Sequence, residues 1–196
     1  MPTPLVPRIV AIGATTGGPA AVRQILQDLA PDLAAAVLIA LQPRPHDALD
    51  AMDWNSVSTL PVHIAEHGER IEPGHVYLAP ANRYLELTPE LHLSITTPPP
   101  WLRPAPWTDR LFLSAVAAVG GRTVGVVLTG SDADGAQGML AIHDAGGIGI
   151  VQEPSDAVDP SMPLSCLRID HPDHCLPLRD IGALLNSLVA APRAIG

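Results

Sequence analysis

Lysine is absent from this 196-residue chain, which rules out Schiff-base chemistry, a lysine-bearing phosphate loop and any catalytic lysine. Cysteine is nearly absent too. Cys166 and Cys175 are too few for a disulfide framework, and nothing else in the sequence suggests secretion. Charged residues make up only 16%, with a formal net charge of −9 and no basic cluster, which argues against a nucleic-acid partner. Long apolar runs are also missing: the longest, residues 34–41, is far too short to cross a bilayer. The first eight residues carry three prolines and no apolar stretch of the kind a signal peptide needs. The expectation is a soluble cytoplasmic protein with no membrane insertion.

What the chain does have is a hydrophobic fraction of 47%, ample for a sizeable core, in apolar stretches of strand length that alternate with helix-length stretches. Strands are expected over residues 8–14, 36–41, 62–65, 75–79, 123–129 and 148–152. Helices are expected from Gly17-Gly18-Pro19 to about Leu29, from about Asp47, and over 108–119, 134–145 and 180–190. Residues 84–87 and 91–95 alternate in polarity around Thr88-Pro89-Glu90 and read as an antiparallel hairpin. Between them and the next helix, residues 97–107 hold five prolines and two tryptophans: either a functional loop or a rigid surface loop with its tryptophans tucked onto the core. With no internal repeat and no composition break, the reading is a single α/β domain over residues 1–196, built on a doubly wound, mostly parallel sheet.

In such sheets, chemistry gathers where strands end and helices begin. Three turns meet that criterion: Gly13-Ala-Thr-Thr-Gly-Gly18, Leu41-Gln-Pro-Arg44 and Thr129-Gly-Ser-Asp-Ala-Asp-Gly135. In the first, Thr15 and Thr16 sit where a nucleophile is exposed beside helix-terminal N–H donors, or where a plain cap is needed. The turn's glycines can cradle an anion or simply make the bend, but their spacing is not a dinucleotide fingerprint. In the third turn, Asp132 and Asp134 can orient a base, ligate a metal or cap the following helix, and on pattern alone capping is favoured. The ligand alternation of a calcium loop stops after those two acids. His171-Pro-Asp-His174-Cys175 holds a single triplet of candidate ligands broken by proline, and reads as a surface turn rather than a metal site. No cofactor or metal is expected.

Several segments, taken in order, resemble the bacterial chemotaxis methylesterase CheB. Ile12-Gly-Ala-Thr-Thr-Gly-Gly-Pro19 is similar to that family's nucleophile turn, I-G-A-S-T-G-G followed by P or T. His67-Gly-Glu-Arg-Ile-Glu-Pro-Gly-His-Val-Tyr-Leu-Ala-Pro80 resembles its segment ending in Y, I or L, A and P. Pro106 and Asp109-Arg-Leu-Phe112 echo its R-P-S-V-D-x-L-F segment, with Ala105 in place of the arginine. The stretch from Gly125 to Met139 matches its L-T-G-M-G-x-D-G-A-x-G segment, with Ser131 and Asp132 replacing methionine and glycine, and Ser161-Met162-Pro163 stands where the family has G-M-P.

The resemblance implies a three-layer α/β/α fold, hydrolysis of glutamyl methyl esters on chemoreceptors, often with glutamine deamidation, and a serine–histidine–aspartate triad. Carried over position by position, the aspartate is Asp134, but Thr15 stands at the serine position and Gln42 at the histidine position. Threonine keeps a hydroxyl, yet its extra methyl stiffens χ1 and crowds the approach of a carbonyl. Glutamine cannot take up and return a proton near neutral pH.

A hydrogen-bonded Thr15–Gln42–Asp134 chain is therefore expected, with Thr16, Gly17 and Gly18 supplying oxyanion-type backbone donors; His46, four residues beyond Gln42, is either a substitute base or, the favoured reading, a plain loop histidine. The implied partners are the cytoplasmic helices of methyl-accepting chemoreceptors. Three functions stay open: an esterase with an unorthodox site, a catalytically inactive pseudoenzyme that binds receptor or signalling partners, and small-ligand binding at the glycine-rich turn. Because the chain starts only eight residues before its first family segment, the family's usual receiver domain is expected to be missing.

Overall fold

The structure, a computed structural model, describes residues 8–42, 53–102, 105–169 and 171–190. Seven strands form one parallel sheet: β1 (Arg8–Ala14), β2 (Ala35–Leu41), β3 (Val62–Ile64), β4 (Val76–Leu78), β7 (Thr123–Val127), β8 (Ile148–Gln152) and β9 (His174–Leu176). Their order is β3-β4-β2-β1-β7-β8-β9. β5 (Tyr84–Leu87) and β6 (Leu93–Thr96) make a separate antiparallel hairpin.

The helices are α1 (Gly18–Asp28), α2 (Trp107–Val119), α3 (Ala136–Asp144), α4 (Ser161–Ile169) and α5 (Leu178–Val189). β1 alternates its side chains between two separate cores, as a pleated strand must. Ile9 and Ala11 join Leu111, Phe112, Met139 and Met162, while Val10 and Ile12 join Val22, Ile25, Ile181 and Leu185. Helices thus cover both faces, with α1 and α5 on one side and α2, α3 and α4 on the other. The three-layer, doubly wound expectation holds.

Several expected boundaries shift. The hairpin pairs Leu87 with Leu93, so β6 starts two residues later than its polarity pattern suggests. Leu91 takes the left-handed conformation (φ 64°) inside the longer turn, and its N–H donates to Thr88 O (2.9 Å). The strand expected over 123–129 ends at Val127, because Thr129 leaves the ladder to bond across the site. Two elements escape the sequence reading. α4 carries Pro163 as its third residue, a place where the missing N–H has no intrahelical acceptor to lose, yet proline there hides the helical pattern. β9 turns part of the supposed surface turn into an edge strand containing His174 and Cys175, too short to show a period. The helix expected from Asp47 lies outside the described residues.

No helix among the described residues is long and apolar enough to cross a membrane. Of the two tryptophans in the proline-rich loop, Trp101 is 83% exposed, while Trp107 is buried as the first residue of α2.

Candidate functional site

The chain leaves β1 toward β2 on one side and later places β7 on its other side, so the crevice of this sheet opens between the carboxyl ends of β1 and β7. Thr15 is the first residue beyond β1 and Thr129-Gly130-Ser131 follow β7, so two of the three candidate turns meet there. They are stitched together. Thr15 N–H donates to Thr129 O (3.1 Å), and Ser131 N–H donates to Thr15 Oγ1 (3.0 Å). The Thr15 hydroxyl in turn donates to Met162 Sδ (3.6 Å), and the residue is only 6% exposed.

Glycine makes this closeness possible. A Cβ on Gly130 would fall 2.0 Å from Met162 Sδ and 2.6 Å from Thr15 Oγ1. At Gly17, φ is 79°, and a Cβ there would meet Val158 at 2.7 Å. The loop after β8 closes over the same turns. Thr129 Oγ1 donates to Thr16 O (2.8 Å) and accepts from Asp159 N–H (2.9 Å). Gly130 N–H donates to Asp159 O, and Met162 N–H to Gly130 O, each at 3.0 Å. Buried Gln152 anchors this arrangement, accepting from Thr129 N–H (2.9 Å) and donating to the Asp156 carboxylate (3.1 Å).

Gln42 sits directly after β2, its N–H extending the β1–β2 ladder to Ala14 O (3.1 Å). The residue is half-buried and lines a small cleft, open to solvent, shared with Asn82, Arg83 and Trp107. Asp134 is buried and turned to another task. Its Oδ2 accepts from Thr108 N–H (2.6 Å) and its Oδ1 from Asp109 N–H (2.9 Å), capping the first turn of α2. Burial pushes its pKa from 3.8 up to about 6, against the lowering effect of those two amides and with the help of nearby Asp109 and Asp132. Burial likewise raises the Asp109 carboxyl.

Three expectations are corrected here. Among the described residues no hydrogen bond joins Gln42 to Thr15 or to Asp134, because the hydroxyl points at Met162 and both carboxylate oxygens serve α2. The Gly18 amide is unavailable as an oxyanion donor, being committed to Thr15 O (2.9 Å). Asp134 does cap a helix, but α2 rather than the α3 that follows it, whose N-cap is Gly135. His46 lies outside the described residues. Among those residues, no group of three or more His, Cys, Asp or Glu side chains is placed to hold a metal ion.

Sequence reasoning assigned no role to Met162, to the Ser131 amide or to Gln152. The Thr15–Met162 contact spans 147 positions, so no local pattern announces it.

A buried hydroxyl at the crevice of a three-layer, doubly wound α/β sheet defines the class of scaffold and the place of its candidate site. The comparisons agree on the scaffold. The CheB methylesterase family model matches residues 10–185. A protein-glutamate methylesterase/protein-glutamine glutaminase of Myxococcus xanthus is 37% identical, the match covering 95% of this chain and 55% of that protein. The counterpart from Salmonella typhimurium is 34% identical over 96% of this chain and 55% of its own length. The crystal structure of the Thermotoga maritima CheB methylesterase catalytic domain superposes with a TM-score of 0.85 at 30% identity, covering 94% of this chain and all of that one. This chain belongs to the CheB methylesterase family. It spans about half the length of the curated relatives it matches.

Proposed function

We propose that this chain is a chemotaxis domain that binds the glutamyl-bearing cytoplasmic helices of chemoreceptors, the partner implied by its resemblance to CheB, without turning over their methyl esters or glutamines. The observation that carries this reading is the Thr15 hydroxyl. Its proton is directed at a thioether and its lone pair accepts the Ser131 amide. A thioether is a weak acceptor with no useful basicity, and Gln42 offers an amide where a general base is needed. Without a base, residual turnover rests on backbone donors alone, and loss of a triad member costs on the order of 10⁴–10⁶ in rate.

The test pairs two measurements on one methylated receptor preparation: methanol release, and direct binding of the chain. Binding without methanol release above background is the expected result. Release at the rate of an active relative overturns the proposal, and loss of that release in His46→Ala would identify His46 as the base.

A further inference from the structure

Val158 is 74% exposed, yet it stands at the crevice rather than on an outer helix face. The Cβ that Gly17 lacks would lie 2.7 Å from Val158 Cβ and 3.2 Å from Thr129 Cγ2. The valine therefore rests on the glycine turn, two residues beyond Thr15, with the rest of its side chain in solvent. A single exposed valine on an ordinary surface needs no explanation. This one is held where it is from both sides.

Before it in the chain, Gln152 Nε2 donates to Asp156 O (3.2 Å) and to Asp156 Oδ2 (3.1 Å), and Asp156 Oδ2 also accepts from Leu178 N–H (2.7 Å) at the start of α5. After it, Asp159 N–H donates to Thr129 Oγ1 and Asp159 O accepts from Gly130 N–H. With Asp156 and Asp159 both pinned, the loop cannot turn Val158 inward. Its ordering cost is met in folding rather than at binding, which favours a contact residue. The charges around it have one sign. Asp132, Glu153, Asp156 and Asp159 lie in the loops after β7 and β8, and no lysine or arginine occurs between Thr123 and Leu167. Arg179 of α5 acts on Asp156 from beyond that stretch.

We propose that Val158 is a selectivity residue of the crevice, accepting helices that carry an apolar side chain one turn from the glutamyl residue and rejecting those with an acidic one there. On one helix face, residues three or four apart are neighbours, with Cβ atoms about 5–6 Å apart. A helix whose glutamyl side chain reaches the Thr15 turn thus lays its next residue on that face over Val158. An apolar side chain there covers the valine and removes both from water. A carboxylate there loses solvent against an apolar group and meets the like charges of the two loops, a repulsive element of the kind that sets specificity. This inference rests on the proposed receptor role and adds to it the sequence context that the crevice selects.

The experiment measures binding of the full chain to two helical peptides and to the methylated receptor preparation. Each peptide carries one glutamyl methyl ester, with either leucine or glutamate at both positions four residues from it. Wild type is expected to bind the leucine peptide about tenfold more tightly or better. Val158→Asp should abolish that preference and Val158→Ile should keep it; the side chain is exposed, so both variants are expected to fold. Ile169→Asp, an equally plain exposed apolar site at the far end of α4 from Met162, should bind as wild type does. Receptor binding without discrimination between the peptides overturns this inference alone, as does a folded Val158→Asp that keeps the preference. Absence of binding to receptor and peptides alike overturns the receptor role and this inference with it.

Discussion

Asp134 and Asp109 exchange helix caps: Asp134 Oδ1 accepts the Asp109 amide of α2 at 2.9 Å, and Asp109 Oδ1 accepts the Gly138 amide of α3 at 2.7 Å. Each carboxylate thus satisfies donors that its partner's helix leaves orphaned at its first turn. The position that the family resemblance gives to a catalytic aspartate is, in this fold, also a structural bolt between two helices.

That bolt predicts a pH dependence of stability. Asp134 titrates near 6 in the folded chain against 3.8 ordinarily, so between those values the folded state holds more protons than the unfolded one. The contribution of this group to stability is therefore fully present below about pH 4 and is lost as pH rises through 6, about 3 kcal/mol in all. Asp109, raised by burial, acts in the same direction. Urea denaturation at a series of pH values, for wild type and Asp134→Asn, isolates the effect. The variant should lose most of this slope, although it keeps only one acceptor for two amides. A slope that survives unchanged would assign it elsewhere.

The crowded turn after β7 predicts a steric cost. Gly130→Ala places a methyl within contact distance of both Met162 Sδ and Thr15 Oγ1, so one of them must move. A loss of about 1–3 kcal/mol is expected, as for overpacking elsewhere in a core. Thermal denaturation measures it, and an unchanged midpoint would mean that the α4 end yields freely.

Across the opposite layer, Asn186 of α5 closes the end of α1. Its Oδ1 accepts from Ala30 N–H and its Nδ2 donates to Asp28 O, both at 2.8 Å. Asn186→Ala removes both partners while leaving the site alone. A destabilisation of about 1–2 kcal/mol by urea denaturation is expected, with receptor binding unaltered.

Restoring the family's side chains predicts the sharpest change in activity. Thr15→Ser with Gln42→His supplies an unhindered nucleophile and a base, while either substitution alone leaves one of them missing. The double variant should release methanol from methylated receptor on the order of 10³-fold faster than either single variant. Equal silence of all three would show that the Met162 and Asp134 contacts hold the site in an unproductive geometry.

Much of this was legible from residues alone, for identifiable reasons. Buried strands such as β1 and β2 are continuous apolar runs bounded by glycine or proline, and α1 opens with proline in its first turn. Those are local signals, and local sterics and burial enforce them. α4 and β9 were missed because one hides a proline in its first turn and the other is three residues long.

By itself, the sequence determined the alternation of strands and helices and the ordered segments shared with the CheB family. Each of these is a matter of residue identity and spacing. Only the tertiary structure decided where the Thr15 proton points and which helix Asp134 caps. A hydrogen bond selects its partner from whatever the fold brings within about 3 Å. For Thr15 that partner lies 147 residues away along the chain.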